Sequence, residues 1–165
     1  MHDFSDLRPT LLELAEQLQQ RGWMLATAES CTGGLIAAAC TDLPGSSAWF
    51  DRGFVTYSNA AKTEMLGVPA ELIAQCGAVS EEVVRAMAQG AHQHSNAIVS
   101  LAVSGVAGPS GGTIEKPVGT VWIAWQINGH AFTQSFKLKG TRADVRIQAL
   151  HHALNELIHQ CTKVA

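Results

Sequence analysis

Serine becomes a useful nucleophile only beside a base, and Ser30 is the serine of this chain best placed to use one. In Ala28-Glu-Ser-Cys-Thr-Gly-Gly34 a short apolar run from Trp23 to Ala28 stops at Glu29-Ser30, and a small-residue helical pattern follows. A strand–helix junction of this kind offers free N–H groups and the positive end of a helix dipole, which suit an anion or an oxyanion. Gly33 and Gly34 fall where the pattern predicts the first turn of a helix over 31–41, and glycine there costs about 1 kcal/mol relative to alanine. Close approach of a ligand to the backbone is one reason to keep them. The commoner role of a serine at such a position is a helix cap.

A base is offered by Tyr57-Ser-Asn-Ala-Ala-Lys62. If Ser58 caps the next helix, Lys62 falls in or just past its first turn, where the dipole and burial both favour the neutral amine. Tyr57 could then relay a proton or orient that amine. Taken by themselves, these two residues read as a surface lysine and a half-buried strand aromatic. Arg142 and Arg146 lie four apart at the start of the last helical pattern. A cation in a first turn is disfavoured unless an anion binds beside it, although a solvated basic face has the same pattern. The stretch from Ser104 to Gly119 carries Gly105, Gly108, Gly111 and Gly112. Its N–H groups could face a phosphate, but its spacing is neither a Walker A motif nor a dinucleotide fingerprint, and a mobile loop would look alike.

The elements that must hold these residues alternate. The periodicity predicts a helix over 7–21, a strand over 23–29, a strand over 48–57, short helices over 59–66 and up to Cys76, and a helix from a Ser80 cap to about His92. A continuous apolar run over 97–104 reads as a strand buried on both faces. Asn128-Gly129 joins strands 120–127 and 130–138 as a hairpin, and a last helix runs from Gly140-Thr141 to about Gln160. The expected architecture is a single-domain three-layer α/β/α sandwich over 1–165, with a mixed central sheet that includes a C-terminal β-hairpin. Val121, Trp122, Ile123 and Trp125 are expected to leave strand 120–126 partly exposed, which makes a homo-oligomer the expected state.

Composition narrows the function. The chain has 165 residues, is 47% hydrophobic and carries a net charge of -3, with no electrostatic footprint for nucleic acid. No apolar run is long enough for a membrane span, and the first residues lack the basic and apolar regions of a signal peptide. Cys31, Cys40, Cys76 and Cys161 show no paired spacing, so reduced thiols in a cytoplasmic protein are expected. Cys31 could be a thiol nucleophile at a helix start, but it has no resolving partner in sequence.

Read together, Ala28-Glu-Ser-Cys-Thr-Gly-Gly34, Gly45-Ser-Ser47, Gly53-Phe-Val-Thr-Tyr-Ser-Asn59 with Lys62, Gly77-Ala-Val-Ser80, Ser104-Gly-Val-Ala-Gly-Pro-Ser-Gly-Gly112 and Lys116-Pro-Val-Gly-Thr-Val121 resemble the CinA C-terminal domain family, in one order from about residue 7 to 160. The one departure is Gly140-Thr141-Arg142, where the family often has Gly-Asp-Arg; threonine also caps a helix. The resemblance implies hydrolysis of the carboxamide of nicotinamide mononucleotide, with Ser30 as nucleophile assisted by Lys62 and Tyr57, and with no metal or cofactor. On that reading Cys31, Thr32, Gly33 and Gly34 supply backbone N–H groups to the oxyanion, and Arg142 with Gly105, Gly108, Gly111 and Gly112 holds the 5′-phosphate. The alternative is a catalytically silent nucleotide-binding module using the same pocket. Such a module has no need of a nucleophile.

Overall fold

The structure is a computed structural model and describes residues 3–164. A short 3-10 turn at Ser5–Leu7 leads into α1 (Arg8–Arg21), then β1 (Leu25–Glu29), α2 (Leu35–Asp42), a second 3-10 turn at Ser46–Ala48, and β2 (Phe50–Val55). Three helices follow, α3 (Asn59–Leu66), α4 (Ala70–Cys76) and α5 (Glu81–Gln93), before β3 (Val99–Gly105), the hairpin β4 (Thr120–Ile127) and β5 (His130–Lys137), and the long α6 (Arg142–Lys163). The five strands form one mixed sheet in the order β2-β1-β3-β4-β5. β1 is parallel to both β2 and β3, whereas β3–β4 and β4–β5 are antiparallel. No helix among the described residues is long and apolar enough to cross a membrane.

The two faces of the sheet are packed differently. Leu25, Val99, Leu101, Val103, Val121, Ile123, Trp125 and Ile127 bury large side chains against α1, α2 and α6. Their neighbours in sequence, Ala26, Ala28, Ala102 and Ala124, face α3, α4 and α5 with little more than a methyl each. Small residues let the second helical layer lie close, and Gly90 of α5 extends this to the α3 contact. A Cβ at Gly90 would sit 2.1 Å from the carbonyl oxygen of Leu66, so any side chain there would push α3 away.

The turn chemistry works as the sequence suggests at the hairpin, where Asn128 (φ 47) and Gly129 (φ 85) both take the left-handed conformation of a type I′ turn. It differs at α2, which begins at Leu35 and not at residue 31. Gly33 (φ 60) and Gly34 (φ 95) are left-handed turn residues ahead of the helix, which is the reason for glycine there. Strand 120–126 also departs from expectation. Val121, Ile123 and Trp125 are buried and Trp122 is half-buried within the monomer, so this strand supplies no exposed apolar face for self-association.

Candidate active site

Residues alternate across a strand, so consecutive residues at the end of β1 are sent to opposite layers. Leu25 and Glu29 belong to the α2 side, and Ala26, Ala28 and then Ser30 to the α3 side. Glu29 is buried, and its carboxylate accepts from Thr32 Oγ1 at 2.7 Å and from the N–H groups of Gly34 at 3.1 Å, Ile36 at 3.0 Å and Ala37 at 2.8 Å. It therefore occupies the N-terminus of α2 that the sequence left open for a ligand. An acidic residue just ahead of a helix start was the available signal for this role.

Ser30 continues β1 by donating its N–H to the carbonyl of Val103. Its side chain meets Lys62, which α3 delivers from the other layer. Ser58 caps α3 by accepting from the N–H of Ala61, which places Lys62 at the end of the first turn. Lys62 is only 1% exposed, and its Nζ lies 3.1 Å from Ser30 Oγ, 2.8 Å from the Thr56 carbonyl oxygen and 3.4 Å from the Tyr57 carbonyl oxygen. No carboxylate contacts it among the described residues. Lys62 Nζ donates to the two carbonyls and to Ser30 Oγ; in a neutral amine the Ser30 contact could reverse, with Oγ–H donating to nitrogen. Burial lowers the Lys62 pKa from its ordinary 10.5, against a smaller opposing effect of the Cys31 sulfur.

The backbone around Ser30 is held from α6. Arg146 Nε donates to the Cys31 carbonyl at 3.1 Å, and an Nη donates to that of Thr32 at 3.0 Å. Among the four N–H groups expected to face an oxyanion, that of Gly33 bonds the Ser30 carbonyl and that of Gly34 bonds Glu29. The N–H groups of Cys31 and Thr32 donate to no other residue among those described, that of Cys31 meeting only its own sulfur. Burial pushes the Cys31 thiol up to about 11, which keeps it protonated and unreactive near neutral pH.

Arg142 opens α6 behind a capping box, in which Thr141 Oγ1 accepts from the Asp144 N–H and the Asp144 carboxylate accepts from that of Thr141. Its guanidinium donates to the Gly108 carbonyl at 2.8 Å and to the Tyr57 hydroxyl at 2.9 Å. The hydroxyl of Tyr57 thus lies on Arg142, and only its carbonyl reaches Lys62. A chain of contacts runs from Ser30 through Lys62 and Tyr57 to Arg142, while Arg146, one turn further along α6, holds the Cys31 and Thr32 carbonyls separately.

The four loop glycines divide. Gly105 and Gly112 are packed against the returning chain, where a Cβ would lie 2.7 Å from Val121 Cγ2 and from the Val118 nitrogen respectively. Gly108 supplies its carbonyl to Arg142, and Gly111 is exposed at φ 88. Lys116 ties the loop to the α4–α5 corner by donating to the Cys76 carbonyl at 2.7 Å. Sequence reasoning gave no role to Thr56, whose carbonyl accepts from Lys62 and whose side-chain oxygen is buried without a hydrogen-bond partner among the described residues. A cavity of about 670 Å³ bordered by Leu12, Glu16, Pro44 and Trp49 contains none of these groups.

The model of the CinA C-terminal domain matches residues 8–161. Nicotinamide-nucleotide amidohydrolase PncC of Enterobacter agglomerans is 53% identical over 152 residues, covering 89% of this chain and 93% of that protein. Its namesake in Escherichia coli K12 is 52% identical over 155 residues, covering 91% and 94%. Among solved structures, the competence/damage inducible protein CihA from Agrobacterium tumefaciens superposes with a TM-score of 0.92 at 44% identity, covering 96% of this chain and 98% of that one. With the family match spanning nearly the whole sheet and all six helices, this chain belongs to the CinA C-terminal domain family.

Proposed function

We propose that residues 1–165 act as one amidase domain that hydrolyses the carboxamide of nicotinamide mononucleotide to nicotinate mononucleotide and ammonia, through a Ser30 nucleophile and a neutral Lys62 base. The observation that carries this reading is the buried Lys62 Nζ, 3.1 Å from Ser30 Oγ and without a carboxylate partner among the described residues. The names of the relatives, nicotinamide-nucleotide amidohydrolase at about half identity over nearly full length, support the substrate.

In the acylation step Ser30 Oγ attacks the carboxamide carbon while Lys62 takes its proton. The Cys31 and Thr32 N–H groups are the donors left to meet the developing oxyanion. Lys62 then returns the proton to the leaving nitrogen, and ammonia departs as the ester forms on Ser30. Water attacks that ester with Lys62 again as base, releasing nicotinate mononucleotide and restoring the serine. Tyr57 assists through the carbonyl that holds Lys62, while its hydroxyl fixes Arg142. Arg142 and the backbone N–H groups of the exposed Ser110–Gly112 segment, in the loop that carries Gly105 and Gly108, are the groups we assign to the 5′-phosphate. No step calls for a metal or cofactor.

A silent nucleotide-binding module would gain nothing from burying a lysine against a serine. A cytoplasmic, homo-oligomeric protein remains part of the proposal. It is supported by four free cysteines and by exposed Val55, Met65 and Val118, in place of strand 120–126. Ammonia release from nicotinamide mononucleotide by the purified chain tests the function directly, with Ser30→Ala as the control. Turnover is expected in the first and none in the second; a chain that releases no ammonia, or a mutant that still turns over, overturns the assignment.

A further inference from the structure

Tyr57 is the only tyrosine in the chain, and it is 61% exposed beside a buried pair. Both of its ends are fixed. Its carbonyl lies 3.4 Å from Lys62 Nζ, and its hydroxyl accepts from Arg142 at 2.9 Å. A donor to the phenol oxygen lies beyond the ring's edge, so the guanidinium leaves the ring's faces uncovered. Ring and cation contacts occur elsewhere, at Trp49–Phe50, Phe136–His152 and Arg21–Trp23, but none involves Tyr57 among the described residues. An aromatic held at both ends and left open to solvent is preorganised, with little side-chain freedom left to lose on binding.

The charges around it define what fits. Arg142 and Arg146 are cationic, and Glu29 faces the opposite layer with its carboxylate committed to α2. No carboxylate among the described residues contacts Ser30, Lys62, Tyr57 or Arg142. A positively charged ligand ring at this mouth finds no ion pair. It finds one electron-rich ring face, which attracts a cation through the quadrupole.

We infer that the exposed face of Tyr57 is a specificity element that binds the positively charged pyridinium ring of the substrate by cation–π contact, so that the site prefers an oxidised, cationic pyridine nucleotide over its uncharged dihydropyridine form. This rests on the amidase reading and names what that site selects. The carboxamide on the bound ring would project toward Ser30, and the phosphate toward Arg142, whose positive charge favours it.

Binding to Ser30→Ala protein, which removes turnover, tests the inference with two ligands that differ in ring charge: nicotinamide mononucleotide and its reduced, uncharged form. Adding Tyr57→Leu should weaken the cationic ligand about 3- to 30-fold and change the reduced one less than about twofold. Tyr57→Phe keeps the ring face, so it should preserve the preference for the cationic ligand even though the Arg142 bond is lost. Equal weakening of both ligands by Tyr57→Leu, or of neither, overturns the inference while ammonia release by the unmodified chain leaves the amidase reading standing. If the unmodified chain releases no ammonia and neither nucleotide binds, reading and inference fall together.

Discussion

Two ionisable side chains, Glu29 at the end of β1 and Lys62 in α3, are each 1% exposed, and their surroundings differ in kind. Glu29 receives four hydrogen bonds, three from backbone N–H groups, a donor count that suits the lone pairs of a carboxylate. Lys62 receives no counter-charge among the described residues; it faces two carbonyls and one serine hydroxyl. The first arrangement fixes a charge and builds the turn. The second favours loss of a charge beside the serine hydroxyl. Burial alone does not distinguish a structural ion from a base; the partners do.

The comparison breaks most sharply at Lys62. Lys62→Met should lower kcat/KM by about 10²–10⁴-fold, the range for loss of a general base, and Lys62→Arg should fare little better because arginine keeps its proton. Stability should not fall with activity. Between the lowered folded pKa and the ordinary 10.5, the unfolded chain binds a proton that the folded chain lacks. Wild-type stability therefore rises with pH through that window, and Lys62→Met should flatten the slope. Denaturant unfolding across pH measures both effects.

Glu29→Gln should do the reverse. An amide turns a donor toward groups that are themselves donors, so about 3 kcal/mol of stability should be lost on the scale of hydrogen bonds to a charged group, seen as a lower denaturation midpoint. If Glu29→Gln and Lys62→Met destabilise alike, the contrast between them is wrong.

Arg142→Ala should raise KM for the nucleotide about tenfold to a hundredfold, since a charged hydrogen bond contributes roughly 1.5–3 kcal/mol. The phosphate-free riboside should change little. Equal losses would move Arg142 from the phosphate to a supporting role through Tyr57. The smallest effect belongs to Thr56→Val. Its buried hydroxyl has no hydrogen-bond partner among the described residues, so an isosteric methyl should leave stability unchanged or raise it by up to about 1 kcal/mol in the same unfolding assay.

Much of this was legible in the residues where local rules decide. Asn128-Gly129 specifies its turn, Ser80 caps α5, and the apolar run over 97–104 became β3 at Val99–Gly105. Local rules failed at α2, because its first turn is governed by a carboxylate from the preceding strand and by two left-handed glycines. They failed again at Trp122 and Trp125, whose burial depends on helices distant in sequence. Ser30 and Lys62 stand 32 residues apart and meet only because β1 and β2 run parallel with α3 folded back over them. Periodicity could place each on its element; the resemblance joined them, and the partners of Tyr57 and Glu29 required coordinates.

The most direct measurement of the central claim is the titration of Lys62 Nζ by nitrogen-15 NMR in the free protein, with Lys62→Met to assign the signal. The account predicts one lysine amine that deprotonates well below the ordinary 10.5, at the same pH as the acidic limb of kcat/KM. A Lys62 signal that titrates at or above 10.5, or an acidic limb that persists unchanged in Lys62→Met, would contradict it.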